Sequence, residues 1–230
     1  EHMGAIVSTF IIVPVKRLGM AKSRLSPLLS VDERKQFCLE MLKDVLTAIK
    51  AAKYIQQTIV TGKDKTALQI ARDFGATFFK ESKLGLNQAV REVINWCLQK
   101  EALSVLILPA DVPLVTSLDL NKIFVQQQNS GMVISPSRSG EGTNALLLAP
   151  PNVIPPSYGP RSFQRHIEKA LALGINIHII RSSRVALDID TVEDLATFLS
   201  LKAKKTHSYN FLMKKRVHER LISLGKNFRA

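Results

Sequence analysis

Residues 9–15 read TFIIVPV, a near-continuous apolar run rich in β-branched residues. Such a run is typical of a strand that is covered on both faces, as in a parallel sheet flanked by helices. The polar segment KRLGMAKSRLSP follows at residues 16–27. Ser30 and Glu33 then form an S-x-x-E motif, which predicts a capped helix start. This strand, loop and helix predict the first unit of an α/β fold.

The rest of the chain continues this alternation. Further strands are predicted at 58–62, 76–80, 104–109, 132–136, 143–149, 175–180 and 185–190, and helices at 65–74, 86–99, 117–128, 162–173 and 191–199. Strands joined by helical crossovers pair in parallel, so this order predicts a three-layer α/β/α domain with a mostly parallel mixed sheet. We place that domain at residues 5–200 and a basic C-terminal extension with an amphipathic helix at residues 201–230.

The positive charge of the chain is concentrated at one end. There are 32 Lys and Arg against 19 Asp and Glu, a formal net charge of +13, but nine of the basic residues and a single acid lie after Leu201. Aromatic residues are only 6% of the chain, few for a protein that stacks nucleic-acid bases. A nucleic-acid partner is therefore not expected. The basic tail is expected to pack on its own domain or on a partner subunit, and the expected assembly is a homodimer.

The cysteines and the apolar runs indicate the compartment. Cys38 and Cys97 lie inside helical apolar patterns, and their spacing suggests neither a zinc site nor a disulfide framework. Buried thiols of this kind are typical of a reducing cytoplasm. No stretch reaches the roughly 20 apolar residues that a membrane span needs. The sequence therefore predicts a cytoplasmic protein that does not bind membranes.

The loop after the first strand is a candidate anion site. Ligands of open α/β sheets bind outside the carboxyl ends of the strands, and this loop places Lys16, Lys22 and Arg24 within nine positions. Several cations on one loop can hold a polyphosphate by charge and hydrogen bonds. The P-loop pattern G-x-x-x-x-G-K-[ST] is absent, and an ordinary solvated basic loop is the alternative.

Three acids follow strands in the same way. Asp111 comes directly after the strand at 104–109 and stands between two prolines, which restrict its backbone. Asp188 and Asp190 are two apart, so an extended backbone puts both carboxylates on one face and Ile189 toward the core. Oxygen ligands suit Mg²⁺, which takes one or two carboxylates plus phosphate oxygens. Each acid could instead form a turn or cap a helix.

A fourth loop lies between the strands at 132–136 and 143–149. Two glycines free its backbone for close approach to a ligand, and Thr143 and Asn144 supply a hydroxyl and an amide. A plain hairpin turn is the alternative. Taken together, cations for phosphates and three acids for a metal at one sheet edge point to metal-assisted phosphoryl or nucleotidyl transfer.

Six segments of the chain resemble, in this order, the 2-phospho-L-lactate guanylyltransferase family: VPVKRLGMAKSRLSPLLSVDER (13–34), GLNQAV (85–90), LPADVPL (108–114), GTNALLL (142–148), YGPRSFQRH (158–166) and LDIDTVEDL (187–195). The resemblance covers about residues 5–200. It implies a nucleotide-diphospho-sugar-transferase-like (GT-A-like) fold. It also implies transfer of GMP from GTP to 2-phospho-L-lactate in coenzyme F-420 biosynthesis, with release of pyrophosphate; some bacterial relatives use phosphoenolpyruvate instead.

The resemblance also implies roles for individual residues. Three acids are expected to hold Mg²⁺, the implied cofactor: Asp111, Asp188 and Asp190. Four residues are expected to contact the phosphorylated acid: Lys16, Thr143, Gly159 and Ser162. Three cations are expected to act in catalysis, the last two facing the triphosphate: Lys16, Lys22 and Arg24. Asn87 is a candidate for contacting the nucleotide.

Two other interpretations stay open at this point. One is nucleotidyl transfer to a different phosphorylated acceptor, such as a sugar phosphate or molybdopterin. The other, from a different class, is a basic nucleic-acid-binding module, which the position of the charge in the tail and the low aromatic content disfavour.

Overall fold

The computed structural model describes residues 9–15, 18, 21–81, 85–127 and 131–225. Its strands are β1 (Thr9–Pro14), β2 (Ile55–Gly62), β3 (Thr77–Lys80), β4 (Ser104–Ile107), β5 (Met132–Pro136), β6 (Thr143–Leu148) and β7 (Ile177–Ile179). Its α-helices are α1 (Val31–Lys50), α2 (Lys65–Asp73), α3 (Leu86–Gln99), α4 (Ser117–Gln126), α5 (Ser162–Ala172), α6 (Ser183–Ala186), α7 (Val192–Ser200), α8 (His207–Lys214) and α9 (Val217–Gly225). A short 3-10 helix spans Ser23–Leu25.

The seven strands form one sheet in the order β3-β2-β1-β4-β6-β5-β7. Strand β1 pairs in parallel with both β2 and β4, and β2 pairs in parallel with β3. Strand β6 runs antiparallel to both β4 and β5, and β7 is parallel to β5. The predicted mostly parallel mixed sheet is therefore confirmed. Because β6 is reversed, its first residues lie beside the carboxyl end of β4, at the edge of the sheet where a ligand is expected.

Helices cover both faces of the sheet. Alternate residues of β1 enter two separate cores, since successive side chains of a strand point to opposite faces. Ile11 and Val13 pack with residues of α1, α2, α4, α7 and α8. Phe10 and Ile12 pack with residues of α3 and α5 on the other face. The three-layer α/β/α prediction is confirmed. None of the helices in the described ranges has the length and apolar character to cross a membrane.

The short strand predicted at 185–190 is wrong. This segment begins with the end of α6 and continues as an irregular loop. The carbonyls of Val185 and Ala186 accept hydrogen bonds from the Asn144 amide, and only the Ala186 carbonyl also accepts one from the backbone N–H of Arg138, so no regular strand ladder forms. Ile189 is nevertheless fully buried, as the alternation predicted.

The two cysteines are core residues. Cys38 and Cys97 are free and buried. Burial raises the pKa of Cys38 to about 11 and that of Cys97 to about 12. Both thiols therefore stay protonated and unreactive at neutral pH.

The chain after residue 200 forms two helices where the sequence predicted one. Helix α8 ends at Lys214, and Arg216 adopts a left-handed backbone with φ 55° before α9 begins. Tyr209, Leu212 and Val217 are buried in the core that contains α1. These three residues pack on their own domain, as in the first of the two packing alternatives for the tail, while Met213 and Ile222 are exposed.

A buried carboxylate on α1 fixes the start of α8. Asp44 accepts hydrogen bonds from the backbone N–H groups of His207 at 2.6 Å and Ser208 at 3.0 Å, and from the Ser208 hydroxyl at 2.5 Å. The first N–H groups of a helix have no partner within the helix, so this carboxylate caps α8 from a distant segment. Burial raises the pKa of Asp44, although the hydrogen bonds from Ser208 and His207 oppose that rise.

We expect Asp44→Ala to lower the free energy of unfolding by about 2 to 3 kcal/mol, because it leaves buried donors of α8 without an acceptor. Asp73→Ala is the matched control. Asp73 is exposed and accepts a single hydrogen bond from Gln69, so its loss should change stability by less than about 0.5 kcal/mol. Urea denaturation of both variants measures the difference. Equal losses would contradict the role of Asp44 in holding α8.

Candidate functional site

A cavity of about 310 Å³ lies at the carboxyl ends of β1 and β4, beside the start of β6. Parallel β1 and β4 end on this edge and antiparallel β6 starts there, so the sheet order itself assembles the cavity. Seven of the predicted site residues line it: Lys22, Asp111, Thr143, Gly159, Ser162, Asp188 and Asp190.

The ammonium group of Lys22 lies between two of the three predicted metal ligands. Its Nζ is 2.6 Å from Asp111 Oδ2 and 2.5 Å from Asp190 Oδ1, and the Lys22 side chain is only 7% exposed. Burial by itself lowers the pKa of Lys22, but the charges and hydrogen bonds of the two carboxylates outweigh burial and raise it above its ordinary value. Lys22 is therefore a cation held by two anions.

Local backbone structure directs these groups into the cavity. Lys22 precedes the 3-10 helix in a left-handed conformation, φ 56°, which costs a non-glycine residue on the order of 1 kcal/mol. The backbone N–H of Ile189 donates to the carbonyl oxygen of Asp111 at 3.0 Å. This bond joins the loop after β4 to the segment that carries Asp190.

Asn144, the second residue of β6, holds Asp188 in place. Its Nδ2 donates to Asp188 Oδ1 at 2.9 Å as well as to the two carbonyls at the end of α6. Burial raises the pKa of Asp188, the hydrogen bond from Asn144 lowers it, and the charges of Asp111 and Asp190 add to the rise.

The three acids predicted to bind metal face one cavity without forming a complete ligand set. Within the described ranges, no group of three or more His, Cys, Asp or Glu side chains is arranged to hold a metal ion. Lys22 bridges Asp111 and Asp190, and Asp188 keeps its contact with Asn144. The oxygens of Asp111 and Asp190 thus already converge on one positive charge.

A buried network joins β6 to α5 in another wall of the cavity. Thr143 Oγ1 lies 3.0 Å from His166 Nδ1 and 3.3 Å from Ser162 Oγ. The other ring nitrogen of His166, Nε2, accepts a hydrogen bond from the backbone N–H of Ser157 at 2.8 Å. Thr143 and Ser162 are buried, and His166 is wholly inaccessible to solvent.

The environment of His166 keeps its ring neutral. Burial lowers its pKa to about 4, and the positive charges of Lys169 and Arg165 act in the same direction. The ring of Tyr158 also packs edge-on against it, with the centroids 5.3 Å apart. His166 is therefore uncharged throughout the physiological range.

The loop before α5 is held by Asn87. Asn87 Nδ2 donates to the carbonyl oxygen of Tyr158 at 2.9 Å, and the N–H of Tyr158 donates to Asn87 Oδ1 at 2.7 Å. The next residue, Gly159, has φ +122°, and a Cβ atom there would lie 3.1 Å from Arg165 Nη2. Asn87 thus positions a cavity-lining glycine that no larger residue could replace without strain.

Three predicted residues are not placed in the cavity lining. Lys16 lies outside the described residues. Arg24 is exposed, and Asn87 engages both ends of its amide with Tyr158. Their predicted contacts with substrate stay predictions. The role of His166 was not foreseen, although its spacing of four residues from Ser162 places both on one face of α5.

The chain matches the family model described as guanylyl transferase CofC like over residues 9–223. It is 39% identical to a phosphoenolpyruvate guanylyltransferase of Rubrobacter xylanophilus, over 83% of this chain and 93% of that protein. It is 36% identical to a 2-phospho-L-lactate guanylyltransferase of Methanocaldococcus vulcanius, over 88% of this chain and 89% of that protein.

Solved structures show the same fold at low sequence identity. A protein of Desulfovibrio desulfuricans assigned as a nucleotide-diphospho-sugar transferase superposes with a TM-score of 0.76 at 15% identity, covering 92% of this chain and 97% of that one. A cytidylyltransferase of Leptospira borgpetersenii gives a TM-score of 0.61 at 15% identity, covering 94% and 97%. The predicted GT-A-like nucleotidyltransferase fold is confirmed.

We expect His166 to make the protein less stable in acid. The unfolded chain binds a proton near the ordinary pKa of 6.5, whereas the native ring resists protonation until about pH 4. Stability that is complete above pH 6.5 is therefore lost as the pH falls through this window, by about 3 kcal/mol at 1.36 kcal/mol per pKa unit.

Denaturant unfolding of the wild type and of His166→Gln between pH 4 and 8 isolates this contribution. The difference in unfolding free energy between the two proteins should be constant above pH 6.5 and shrink toward pH 4. A difference that does not change with pH would contradict a neutral buried ring.

Proposed function

The chain belongs to the CofC-like guanylyl transferase family, and we propose that it transfers GMP from GTP to 2-phospho-L-lactate, in coenzyme F-420 biosynthesis. The products are pyrophosphate and lactyl-2-diphospho-5'-guanosine. The observation that carries the proposal is a single cavity in which a buried lysine and two carboxylates lie together with buried hydroxyl donors. Its volume of about 310 Å³ suits small ligands.

Two parts of the cavity match the two substrates. The Lys22 ammonium, in the loop after β1, supplies positive charge for the triphosphate. The hydroxyls of Thr143 and Ser162 and the backbone at Gly159 supply neutral polar groups around a small phosphorylated acid. Together these groups would bring the phosphate of the acid close to the α-phosphorus of GTP.

The reaction needs little from the protein beyond positioning and charge. A phosphate oxygen of the acid attacks the α-phosphorus in line, a new phosphorus–oxygen bond forms, and the bond to the β-phosphate breaks to release pyrophosphate. The attacking phosphate is already ionised near neutral pH, so a general base is not required. Lys22 would neutralise negative charge that develops on the phosphates.

The acid residues fit Mg²⁺ as the cofactor that we propose. Asp111 and Asp190 point their oxygens at one positive charge, the ammonium of Lys22, and oxygen-only donors are the set that Mg²⁺ binds together with phosphate oxygens. Asp111, Asp190 and Asp188 are the residues that would hold it. When bound, the metal would polarise the phosphates and neutralise their charge. Lys22 would then be free to donate to the triphosphate.

Phosphoenolpyruvate is the second candidate acceptor. The relative from Rubrobacter xylanophilus that is named for it is 39% identical to this chain, against 36% for the Methanocaldococcus vulcanius relative named for phospholactate. The two acids carry the same phosphate and carboxylate and differ only in the carbon skeleton. We place the reaction in the cytoplasm, where free thiols such as Cys38 and Cys97 persist, and expect a homodimer.

We expect pyrophosphate release from GTP only when 2-phospho-L-lactate or phosphoenolpyruvate is present together with Mg²⁺. Purified protein is incubated with each nucleoside triphosphate and each acid in turn, and mass spectrometry identifies the guanylylated product. Inorganic phosphate in place of the acid is the control. Transfer to a sugar phosphate alone, or from CTP alone, would overturn the proposal.

We expect Lys22→Met and Asp190→Asn each to lower kcat by about 10² to 10³, because each removes a charge that acts on the phosphates. Lys35→Met is the matched control. Lys35 is half-exposed on α1, its Nζ makes a long ion pair of 3.9 Å with Asp64 Oδ2, and it does not line the cavity. Its removal should therefore leave turnover unchanged. Circular dichroism confirms that the variants fold. Wild-type turnover by Asp190→Asn would contradict the assignment of the metal ligands.

A further inference from the structure

The hydrogen bonds around His166 determine which ring nitrogen carries the proton. The backbone N–H of Ser157 donates to Nε2 at 2.8 Å, so Nε2 is an unprotonated acceptor. A neutral imidazole has one proton, which must then be on Nδ1. Nδ1 lies 3.0 Å from Thr143 Oγ1. His166 is therefore the donor, and Thr143 the acceptor, in this contact.

The Thr143 hydroxyl accepts a second hydrogen bond from Ser162 Oγ at 3.3 Å. A hydroxyl oxygen has two acceptor positions and one proton to donate. With both acceptor positions occupied, the Thr143 hydroxyl has only its proton left to offer. Thr143 lines the cavity, so that proton is available to a ligand there.

We propose that His166 is a positioning residue that makes Thr143 a fixed hydrogen-bond donor to an anionic oxygen of the small acid substrate. The inference rests on the proposed function, since it specifies how the acid is recognised in that cavity. A freely rotating hydroxyl can donate or accept. A hydroxyl that can only donate favours a ligand that presents an acceptor, such as a phosphate or carboxylate oxygen. It disfavours a ligand that presents a hydroxyl donor at the same point. His166 acts through Thr143 and does not itself line the cavity.

Two substitutions separate this role from simple packing. His166→Asn places an amide near the Nδ1 position and keeps a donor for Thr143. His166→Gln reaches the Nε2 position, keeps an acceptor for Ser157 and removes the donor to Thr143. His178→Gln, on β7 and outside the cavity lining, is the matched control.

We expect KM for the acid to rise about tenfold in His166→Gln, as for the loss of one oriented hydrogen bond. KM for the acid in His166→Asn should stay within about twofold of the wild type, and KM for GTP should stay unchanged in both variants. A packing role predicts instead that the two variants are impaired alike, in line with their melting temperatures.

The Thr143→Val background tests whether His166 acts through Thr143. Adding His166→Gln to this background should produce no further rise in KM for the acid, because the hydroxyl that His166 orients is already gone. A further rise of severalfold would overturn the proposal. So would equal effects of the Asn and Gln substitutions in the wild-type background.

Failure of the proposed function is distinguishable from failure of this inference. If the wild type transfers GMP to neither acid, calorimetric titration with phosphoenolpyruvate tests His166 without turnover. Binding about tenfold weaker in His166→Gln than in His166→Asn supports the positioning role. Equal affinities, or the absence of binding by the wild type, overturn it.

Discussion

The positive charge of Lys22 holds together three segments that the chain places far apart. Lys22 is 89 residues from Asp111 and 168 from Asp190, yet its ammonium lies within 2.6 Å of an oxygen of each. The carboxylates of Asp111 and Asp190 both contact the same ammonium group, and without a cation between them their negative charges would repel each other. The loops after β1, after β4 and before α7 therefore depend on a positive charge at this point.

The direction of β6 decides what meets that charge. A sheet of parallel strands alone would bring together only loops that follow strands. Because β6 is antiparallel to β4, its first residues, Thr143 and Asn144, reach the same edge. Asn144 then fixes Asp188, and Thr143 connects the cavity to α5 through His166. One reversed strand thus adds a neutral, donor-rich wall to a charged site.

Sequence patterns predicted the sheet because its central strands are buried on both faces. TFIIVPV and SVLILP are apolar at every position after the first, a pattern typical of strands that are covered on both faces. The prediction failed at 185–190 because the backbone hydrogen bonds of that segment go to scattered partners, among them the Asn144 side chain and the carbonyl oxygen of Asp111, which are remote in sequence. The break at Arg216 was missed for a similar reason, since the apolar spacing of the tail continues through it.

The site was predictable where residue type and position alone carry the chemistry. Lys22 and the three acids are charged side chains in loops at the sheet edge, where ligands of α/β folds bind. The structure brings all four to one cavity. The contacts of His166 with Thr143 and of Asn87 with Tyr158 escaped prediction, because they depend on which atoms meet. The same imidazole on a different helix face would be an ordinary core residue. Arg24 is exposed because the 3-10 helix turns Leu25 inward instead.

The cap that Asp44 provides for α8 has a consequence for how the protein is made. The ribosome synthesises Asp44 more than 160 residues before the backbone N–H groups that it binds. While the nascent chain grows, this carboxylate has no such partner and the apolar surface that α8 covers stays open to solvent. The domain therefore reaches its native state late in translation. Until then it exposes apolar surface of the kind that promotes aggregation.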